Sequence, residues 1–242
     1  MEGEEEKNLL LFDFDGTLVD GDIIFTMFEK TLSKEDYASV TDFEHLNYAE
    51  AIDKYYKLMK SYNKTMSDIH PILEGMKFNE GIPDLFTYIR ENKKKFIVLL
   101  ITGDDLYPTT YFLKKKGILD LFDYFIGIPS KLEDGETMVK VTYLSPHDCN
   151  YCDKSLCKNY EFKKLIEKNE KFKNYKLFFI CDGWNDYCLA SQSMKNTDVV
   201  VIREGFKFSN MMKEEKFNKN IKSNVVYWQN GKEIIEYLKK YT

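Results

Sequence analysis

Two carboxylates follow directly after a short apolar run, LLLF at residues 9–12. Successive side chains of a β-strand point to opposite faces, so Asp13 and Asp15 would point the same way. Neighbouring carboxylates repel each other unless a cation lies between them, and oxygen-only ligands favour Mg²⁺. Gly16 would let the chain turn sharply beneath a ligand. The pattern therefore predicts a magnesium site, with an acidic surface loop as the alternative.

A second group of potential ligands falls within eleven residues near the middle of the chain: His147, Cys149, Cys152 and Cys157. Four such ligands are enough for tetrahedral Zn²⁺. All four come from one short segment, however, whereas structural zinc sites usually join two separated pairs. Two interpretations stay open, a zinc site or a thiol-rich loop that positions the following Lys158. We expect Cys181 and Cys188 to be small core residues.

Several other catalytic patterns do not occur in the sequence. It contains neither a G-x-x-x-x-G-K-[ST] loop nor a G-x-G-x-x-G turn, so nothing favours binding of ATP or a dinucleotide. None of its three histidines stands beside a serine or cysteine at a predicted strand end, which argues against a hydrolase of the triad type.

The charge balance restricts the partners. The chain has 35 lysine and arginine residues against 40 aspartate and glutamate residues, whereas a protein that binds the nucleic-acid backbone normally carries a basic surplus. No stretch approaches the roughly 20 apolar residues of a transmembrane helix. The acidic start of the chain differs from a secretory signal, and five cysteines, an odd number, argue against a disulfide framework. We expect a soluble, cytoplasmic protein without a nucleic-acid or membrane partner.

Short apolar runs alternate with helical patterns, which is typical of a parallel sheet covered by helices. The predicted strands are nearly continuous apolar runs, as expected when both faces of a sheet are covered. They span 9–14, 95–102, 124–128, 175–181, 198–202 and 224–228. The predicted helices span 82–92, 107–116, 161–169, 186–194 and 232–239. We therefore predict an α/β fold.

One interval interrupts this alternation. Between the first two predicted strands no further strand is indicated, and apolar residues recur at helical spacing in segments 52–59 and 66–73. About sixty residues of helix between consecutive strands exceed an ordinary crossover. We predict a core domain formed by residues 1–20 and 78–242, with an inserted helical cap at residues 21–77.

The segment LLLFDFDGTL resembles the first motif of the haloacid dehalogenase-like phosphatases. The resemblance implies a Rossmann-like parallel sheet with a helical cap inserted after the first strand. It also implies that Asp13 is the nucleophile and Asp15 the general acid/base. Later motifs of that family match Thr102, which would bind phosphate, and the acidic pair Asp182 and Asp186, which would serve the metal.

The segment YLSPHDCNYCDKSLCK resembles part of the phosphoethanolamine/phosphocholine phosphatase group, which includes members that hydrolyse pyridoxal phosphate. This resemblance places the phosphate-binding lysine at Lys158. The group typically has an aspartate directly after its second-motif serine, where this chain has Gly103 after Thr102. Asp22 or Asp104 would then supply the countercharge for an amine substrate.

These resemblances imply a phosphomonoester hydrolase that requires Mg²⁺ and forms an aspartyl-phosphate. The magnesium ligands would be Asp13, Asp15 through its backbone carbonyl, Asp182 and Asp186. The substrate would be a small phosphorylated metabolite, with phosphoethanolamine, phosphocholine and pyridoxal phosphate as candidates. Two alternatives remain: a phosphotransferase or mutase with the same motifs, and a zinc-loop interaction protein without catalysis.

Overall fold

The structure is a computed structural model that describes residues 7–133, 137–140 and 146–242. The acidic segment 1–6 lies outside the described residues, as do residues 143–145, which begin the segment YLSPHDCNYCDKSLCK. Among the helices of the described residues, none combines the length and the apolar character that a bilayer crossing requires.

One six-stranded sheet forms the centre of the fold, and all of its neighbouring strands are parallel. Its strands are β1 (Asn8–Phe12), β2 (Phe96–Asp105), β3 (Tyr124–Ile128), β6 (Lys176–Cys181), β7 (Val199–Arg203) and β8 (Asn224–Trp228). Their order is β3-β2-β1-β6-β7-β8. Phe12 pairs with both Leu100 and Ile180, so the carboxyl ends of β1, β2 and β6 lie at one edge. Ligands of open α/β sheets bind at that edge.

The central strand β1 is buried on both faces because every residue after Asn8 is apolar. Leu10 and Phe12 pack into one hydrophobic cluster, whereas Leu9 and Leu11 pack into a second cluster on the opposite face. Fully burying a side chain of this size contributes about 1.5–3 kcal/mol. Burial of the strand therefore fixes the position of the carboxylates that follow it.

Along the chain, four helices follow β1 before the rest of the core begins: α1 (Ile23–Thr31), α2 (Lys34–Val40), α3 (Tyr48–Ser61) and α4 (Met66–Gly75). We call residues 22–76 the helical insertion. Side chains set where its helices begin, since Asp22 accepts a bond from the Phe25 N–H and Asn47 forms a capping box with Glu50. Its buried apolar residues, such as Ile52, belong to the same hydrophobic cluster as Phe12.

The remaining helices cover both faces of the sheet. The face of Phe12 carries α5 (Ile82–Glu91), α6 (Leu106–Lys115) and α11 (Gly231–Leu238). The opposite face carries α7 (Lys158–Lys168), α8 (Tyr187–Gln192), α9 (Lys207–Met211) and α10 (Glu215–Asn218). Short 3₁₀ turns lie at Lys93–Lys95, Leu119–Leu121, Glu170–Asn174, Trp184–Asp186 and Lys239–Tyr241.

The predicted α/β fold is confirmed. All six predicted strands are present in the described residues, and β2 extends past its predicted end because Asp105 pairs with Ile128 after an irregularity in the ladder. The antiparallel pair of β4 (Ser130–Glu133) and β5 (Thr137–Lys140) is a feature that the apolar pattern did not indicate. Helix α7 begins at Lys158, three residues before its predicted start, which gives that lysine a fixed place at a helix N-terminus.

Candidate active site

A cavity of about 610 Å³ opens at the carboxyl edge of the sheet. Its lining comes from the segments that follow the strands and from the helical insertion. It includes seven predicted site residues: Asp13, Asp15, Asp22, Thr102, Gly103, Asp104 and Asp182. The buried Lys158 and Asp186 contact this set from within the core. The predicted phosphatase residues therefore meet in one place.

The Lys158 ammonium joins two of the predicted carboxylates. Its Nζ lies 2.6 Å from Asp13 Oδ1 and 2.6 Å from Asp186 Oδ1. Burial alone would lower the pKa of Lys158, but the charges of Asp13 and Asp186 raise it well above its ordinary value. The lysine is therefore a permanent cation at the strand ends.

The second oxygen of Asp186 is also engaged. Asp186 Oδ2 accepts hydrogen bonds from the Gly183 N–H at 2.7 Å and the Asp182 N–H at 3.2 Å. These contacts tie the 3₁₀ turn at Trp184–Asp186 back to the end of β6, so that Asp186 is fixed in orientation towards Lys158.

Asp182 directly follows β6 and lies close to Asp13 and Asp186. The carboxylate oxygens of Asp13, Asp182 and Asp186 lie within 4.8 Å of one another. Thr17 donates a 2.7 Å hydrogen bond to Asp182. Gly16 is needed beside it: its φ is +68°, and a Cβ there would lie 2.4 Å from Asp182 Oδ2. We call Asp13, Asp182, Asp186 and Lys158 the lysine cluster.

The lysine cluster carries more negative than positive charge. Burial and then the neighbouring Asp186 raise the pKa of Asp182 to about 6. The pKa of Asp13 is also raised by burial and by Asp186, with Lys158 opposing the shift. Three buried carboxylates around a single ammonium leave net negative charge, which a divalent cation would balance, and carboxylate oxygens are ligands that Mg²⁺ prefers.

The Asp15 side chain does not join the lysine cluster. Its Oδ1 accepts a 2.8 Å hydrogen bond from the Ile23 N–H at the start of α1. Burial raises the pKa of Asp15 well above its ordinary value, and the charges of Asp104 and Asp22 add to the shift. A carboxyl group with a raised pKa at this position can hold a proton and release it.

Thr102, Asp104 and Tyr48 form a chain of hydrogen bonds across the cavity. The Thr102 hydroxyl donates to Asp104 Oδ2 at 3.0 Å and accepts from the Asp104 N–H at 3.1 Å. The Tyr48 hydroxyl donates to Asp104 Oδ1 at 2.8 Å. Gly103 lines the cavity beside them, where an added Cβ would approach only Asn185, at 3.7 Å. Asp104 thus links strand β2 to the helical insertion.

Asp22 serves two purposes at once. Its Oδ1 caps α1 through a 2.8 Å bond from the Phe25 N–H, and its side chain faces the cavity. Burial, followed by the charge of Asp104, raises the pKa of Asp22 to about 7. Within the described residues, no lysine or arginine forms an ion pair with Asp22 or Asp104. We call these two residues the acidic wall.

Arg203 is a cavity residue that we did not predict as part of the site. It ends β7, and its guanidinium donates to the Gly16 carbonyl and lies 4.1 Å from the centre of the Phe206 ring. One signal in the sequence could have identified Arg203, because it directly follows an apolar run that ends at the same edge of the sheet as Asp13. It is also one of only two arginines in the chain, the other being Arg90.

Hydrogen bonds connect the helical insertion to the core beside the cavity. The Tyr48 N–H donates to Asp153 Oδ1 at 3.1 Å, and the Ala49 N–H donates to Ser155 Oγ at 2.7 Å. The Tyr56 hydroxyl donates to Asp105 at 2.7 Å. The start of α3 therefore forms one side of the cavity.

The cysteine-rich segment gathers at a separate place, with one correction to the predicted ligand set. The Sγ atoms of four cysteines lie within 4.8 Å of one another: Cys149, Cys152, Cys157 and Cys188. Cys188, which we expected to be a small core residue, takes the place of His147 in this group. The His147 ring is engaged elsewhere, because Nε2 contacts the Asp153 carbonyl at 3.1 Å and Nδ1 accepts from the Cys149 N–H at 3.2 Å.

The chain is similar over nearly its whole length to known phosphatases. The family model described as Putative Phosphatase matches residues 8–242. Pyridoxal phosphate phosphatase PHOSPHO2 of Mus musculus is 26% identical over 236 residues, which cover 96% of this chain and 97% of that protein. The phosphoethanolamine/phosphocholine phosphatase of Gallus gallus is 26% identical over 242 residues, which cover 97% of this chain and 88% of that protein.

A solved structure of a phosphoserine phosphatase, described as a phospho-aspartyl intermediate analogue, superposes with a TM-score of 0.59. It is 16% identical, and the match covers 96% of this chain and 99% of that one. This likeness supports the fold, whereas the family model and the two relatives bear on activity. The chain belongs to the Putative Phosphatase family and is a phosphatase, and its fold is that of the haloacid dehalogenase-like phosphatases.

Proposed function

We propose that this protein hydrolyses a small phosphomonoester with an amine or other cationic group, with Asp13 as the nucleophile and Mg²⁺ as the cofactor. The observation that carries the proposal is the position of Lys158 Nζ, 2.6 Å from both Asp13 and Asp186. A nucleophilic carboxylate must receive a phosphate dianion, and a fixed cation beside it reduces the repulsion between them.

The residues of the lysine cluster fit Mg²⁺. Asp13 and Asp182 would hold it through carboxylate oxygens, with the Asp15 backbone carbonyl as a further ligand. Both oxygens of Asp186 already accept hydrogen bonds, so we assign Asp186 to the orientation of Lys158 rather than to direct ligation. When bound, Mg²⁺ supplies positive charge that offsets the charge of the phosphate.

The first chemical step is the attack of an Asp13 oxygen on phosphorus. A new bond forms between that oxygen and phosphorus, and the bond to the ester oxygen breaks with its electron pair moving to the leaving group. Asp15 donates a proton to the departing oxygen. Its raised pKa supports this role, since it favours the protonated form before the reaction.

In the second step, water hydrolyses the aspartyl-phosphate on Asp13. Asp15, now ionised, takes a proton from that water as it attacks phosphorus, and the bond between the Asp13 oxygen and phosphorus breaks. Asp13 and Asp15 then return to their starting states, and inorganic phosphate is released.

The phosphate oxygens need several donors during both steps. Lys158 supplies one, and the backbone N–H groups at Gly103 and after β1 are further candidates. The Thr102 hydroxyl is bonded to Asp104, so it would have to rotate towards a phosphate. Arg203 adds positive charge at the same edge of the sheet.

The acidic wall supports the cationic part of the proposed substrate. Asp22 and Asp104 line the cavity without a cationic partner in the part of the chain that the structure describes, and the Tyr48 ring lies next to them. An ammonium group placed there would pair with the carboxylates and contact the aromatic ring, which is worth roughly 0.5–2 kcal/mol for the ring alone. Phosphoethanolamine, phosphocholine and pyridoxal phosphate, whose phosphatases are among the relatives, are the first substrates to test.

The helical insertion supports selection of such a substrate. A small phosphomonoester has little surface besides its phosphate, so its recognition needs walls from a second element that also exclude water. Tyr48 and Asp22 come from this insertion, whereas the proposed phosphate-binding groups come from the strand ends and the start of α7. We propose that the insertion acts as a cap that moves to admit the substrate.

The test is release of inorganic phosphate by the purified chain, first from a chromogenic phosphate ester and then from the three candidates. We expect hydrolysis with Mg²⁺, loss of it with EDTA, and recovery when Mg²⁺ is added in excess. Undiminished activity in metal-free buffer would contradict the cofactor. A higher kcat/KM for glycerol phosphate than for every amine substrate would contradict the proposed substrate class.

A further inference from the structure

Four cysteine sulfurs converge outside the cavity, and they come from two separate parts of the chain. Cys149, Cys152 and Cys157 belong to the segment before α7, whereas Cys188 lies in α8. The sequence alone had suggested that all potential ligands come from one loop, which counted against a structural metal site. The convergence of a distant fourth cysteine removes that objection.

The spacing of the sulfurs suits a tetrahedral metal. Cys188 Sγ lies 3.1 Å from Cys152 Sγ and 3.9 Å from Cys157 Sγ, and no pair of the four exceeds 4.8 Å. In a tetrahedral site with Zn–S bonds of about 2.3 Å, neighbouring sulfurs lie about 3.8 Å apart. Small movements of these side chains would bring all four to that separation.

The surroundings of the sulfurs are also those of a closed site. Cys157 and Cys188 are buried, and Cys149 and Cys152 are partly buried. The Tyr151 N–H donates to Cys149 Sγ at 3.4 Å, which would stabilise a thiolate. All four positions are filled by protein atoms, so no position is left for a substrate or water, as in structural rather than catalytic zinc sites.

We propose that Cys149, Cys152, Cys157 and Cys188 bind one structural Zn²⁺ ion that fastens the segment before α7 to helix α8. This inference goes beyond the phosphatase activity and does not depend on it. Each thiol would lose its proton to solvent on binding, so no electron transfer is involved.

The bound metal would also fix the positions of two residues of the lysine cluster, Lys158 and Asp186, relative to each other. Cys157 immediately precedes Lys158, and Cys188 follows Asp186 by two residues. A metal that joins these cysteines would therefore fix the distance between the Lys158 ammonium and the Asp186 carboxylate from outside the cavity. The bond between these two side chains is 2.6 Å long.

The experiment measures metal content in the full chain, purified under reducing conditions without chelator. We expect about one zinc per chain by elemental analysis, retained after an EDTA wash that removes Mg²⁺ and released by a mercurial that blocks thiols. Cys188→Ala should lose the zinc. Cys181→Ala is the matched control, because Cys181 is a buried cysteine outside the group, and it should keep the zinc.

If Cys188→Ala does not fold, Cys149→Ala provides the same test at a partly buried position. The proposal would be overturned by wild-type protein that neither contains zinc nor takes up added ZnCl₂ when reduced. Iron in place of zinc would overturn the assignment of the metal. A disulfide between Cys152 and Cys188 in the reduced preparation, seen by peptide mass spectrometry, would also overturn it.

Discussion

The two acidic regions of the cavity differ in how their charge is balanced. In the lysine cluster, three carboxylates surround a buried ammonium and are tied to the ends of β1 and β6. In the acidic wall, Asp22 and Asp104 have hydrogen bonds but no cationic partner within the described residues. The difference separates two tasks: the first region can receive phosphate and Mg²⁺, and the second is suited to a cation brought by the substrate.

The two regions also differ in what holds them. In the lysine cluster, Asp13 and Asp182 directly follow the buried strands β1 and β6, and Lys158 and Asp186 lie in α7 and in the 3₁₀ turn after β6. The acidic wall instead joins the end of β2 to the start of two helices in the helical insertion. We therefore expect changes in the lysine cluster to affect every substrate. Changes in the acidic wall should affect only some substrates.

The largest effect should follow Asp13→Asn. The amide keeps the shape of the side chain but is a poor nucleophile, so kcat on a chromogenic ester should fall by about four orders of magnitude. Asp20→Asn, at an exposed aspartate of the cavity rim, is the control and should keep wild-type turnover. Activity of Asp13→Asn above roughly a hundredth of wild type would remove Asp13 from the role of nucleophile.

Lys158→Met should reduce turnover by about a hundredfold or more on all substrates. It should also destabilise the protein in EDTA, because loss of one partner of a buried ion pair typically costs about 3–5 kcal/mol. Urea unfolding with and without Mg²⁺ measures this, and Mg²⁺ should stabilise the variant more than the wild type. Lys163→Met, at an exposed position of the same helix, is the control. Unchanged stability in EDTA would show that Lys158 does not balance the negative charge of the three carboxylates in the lysine cluster.

Asp104→Asn should affect amine substrates selectively. The amide oxygen can still accept the bond from Tyr48, so the variant removes charge while keeping that contact. We expect kcat/KM for phosphoethanolamine to fall about tenfold, which corresponds to 1.4 kcal/mol, and the value for a neutral chromogenic ester to change little. Equal losses on both substrates would place Asp104 in the phosphate chemistry instead.

Asp22→Asn should act on stability rather than on turnover, and its effect should be visible as a change in the pH dependence of stability. Burial and the charge of Asp104 raise the pKa of Asp22 from its ordinary value of 3.8 to about 7, so its contribution to stability is present below pH 4 and is lost as the pH rises through 7. Asparagine can cap α1 equally but does not titrate. The variant should therefore gain thermal stability relative to wild type between pH 5 and pH 8. The same difference in Tm at both pH values would contradict this assignment.

Much of the fold was predictable because the six strands of the parallel sheet are nearly continuous apolar runs, including the edge strands β3 and β8, which are only partly buried. The pair Asp13 and Asp15 was predictable for the same reason, since both follow such a run directly. Thr102 and Asp182 were assigned through resemblance to known motifs, and the structure brings them into the same cavity. Their chemical roles remain predictions.

The features that sequence reasoning did not predict depend on contacts between distant segments. Cys188 lies 31 residues after Cys157 and meets it only because α8 packs beside the segment before α7. Arg203 reaches the Gly16 carbonyl across 187 residues. The bond that Thr102 makes with Asp104 is local, but its geometry depends on the extension of β2 to Asp105. Periodicity carries no information on such contacts.

The central claim is that Asp13 becomes phosphorylated during turnover, and trapping of the intermediate tests it most directly. Asp15→Asn should slow hydrolysis of the aspartyl-phosphate, so this variant is mixed with substrate and Mg²⁺, quenched in acid and digested for peptide mass spectrometry. The account predicts one phosphoryl group on Asp13, absent when Asp13→Asn is added to the variant. A phosphoryl group on another residue, or none in any variant while phosphate is still released, would contradict it.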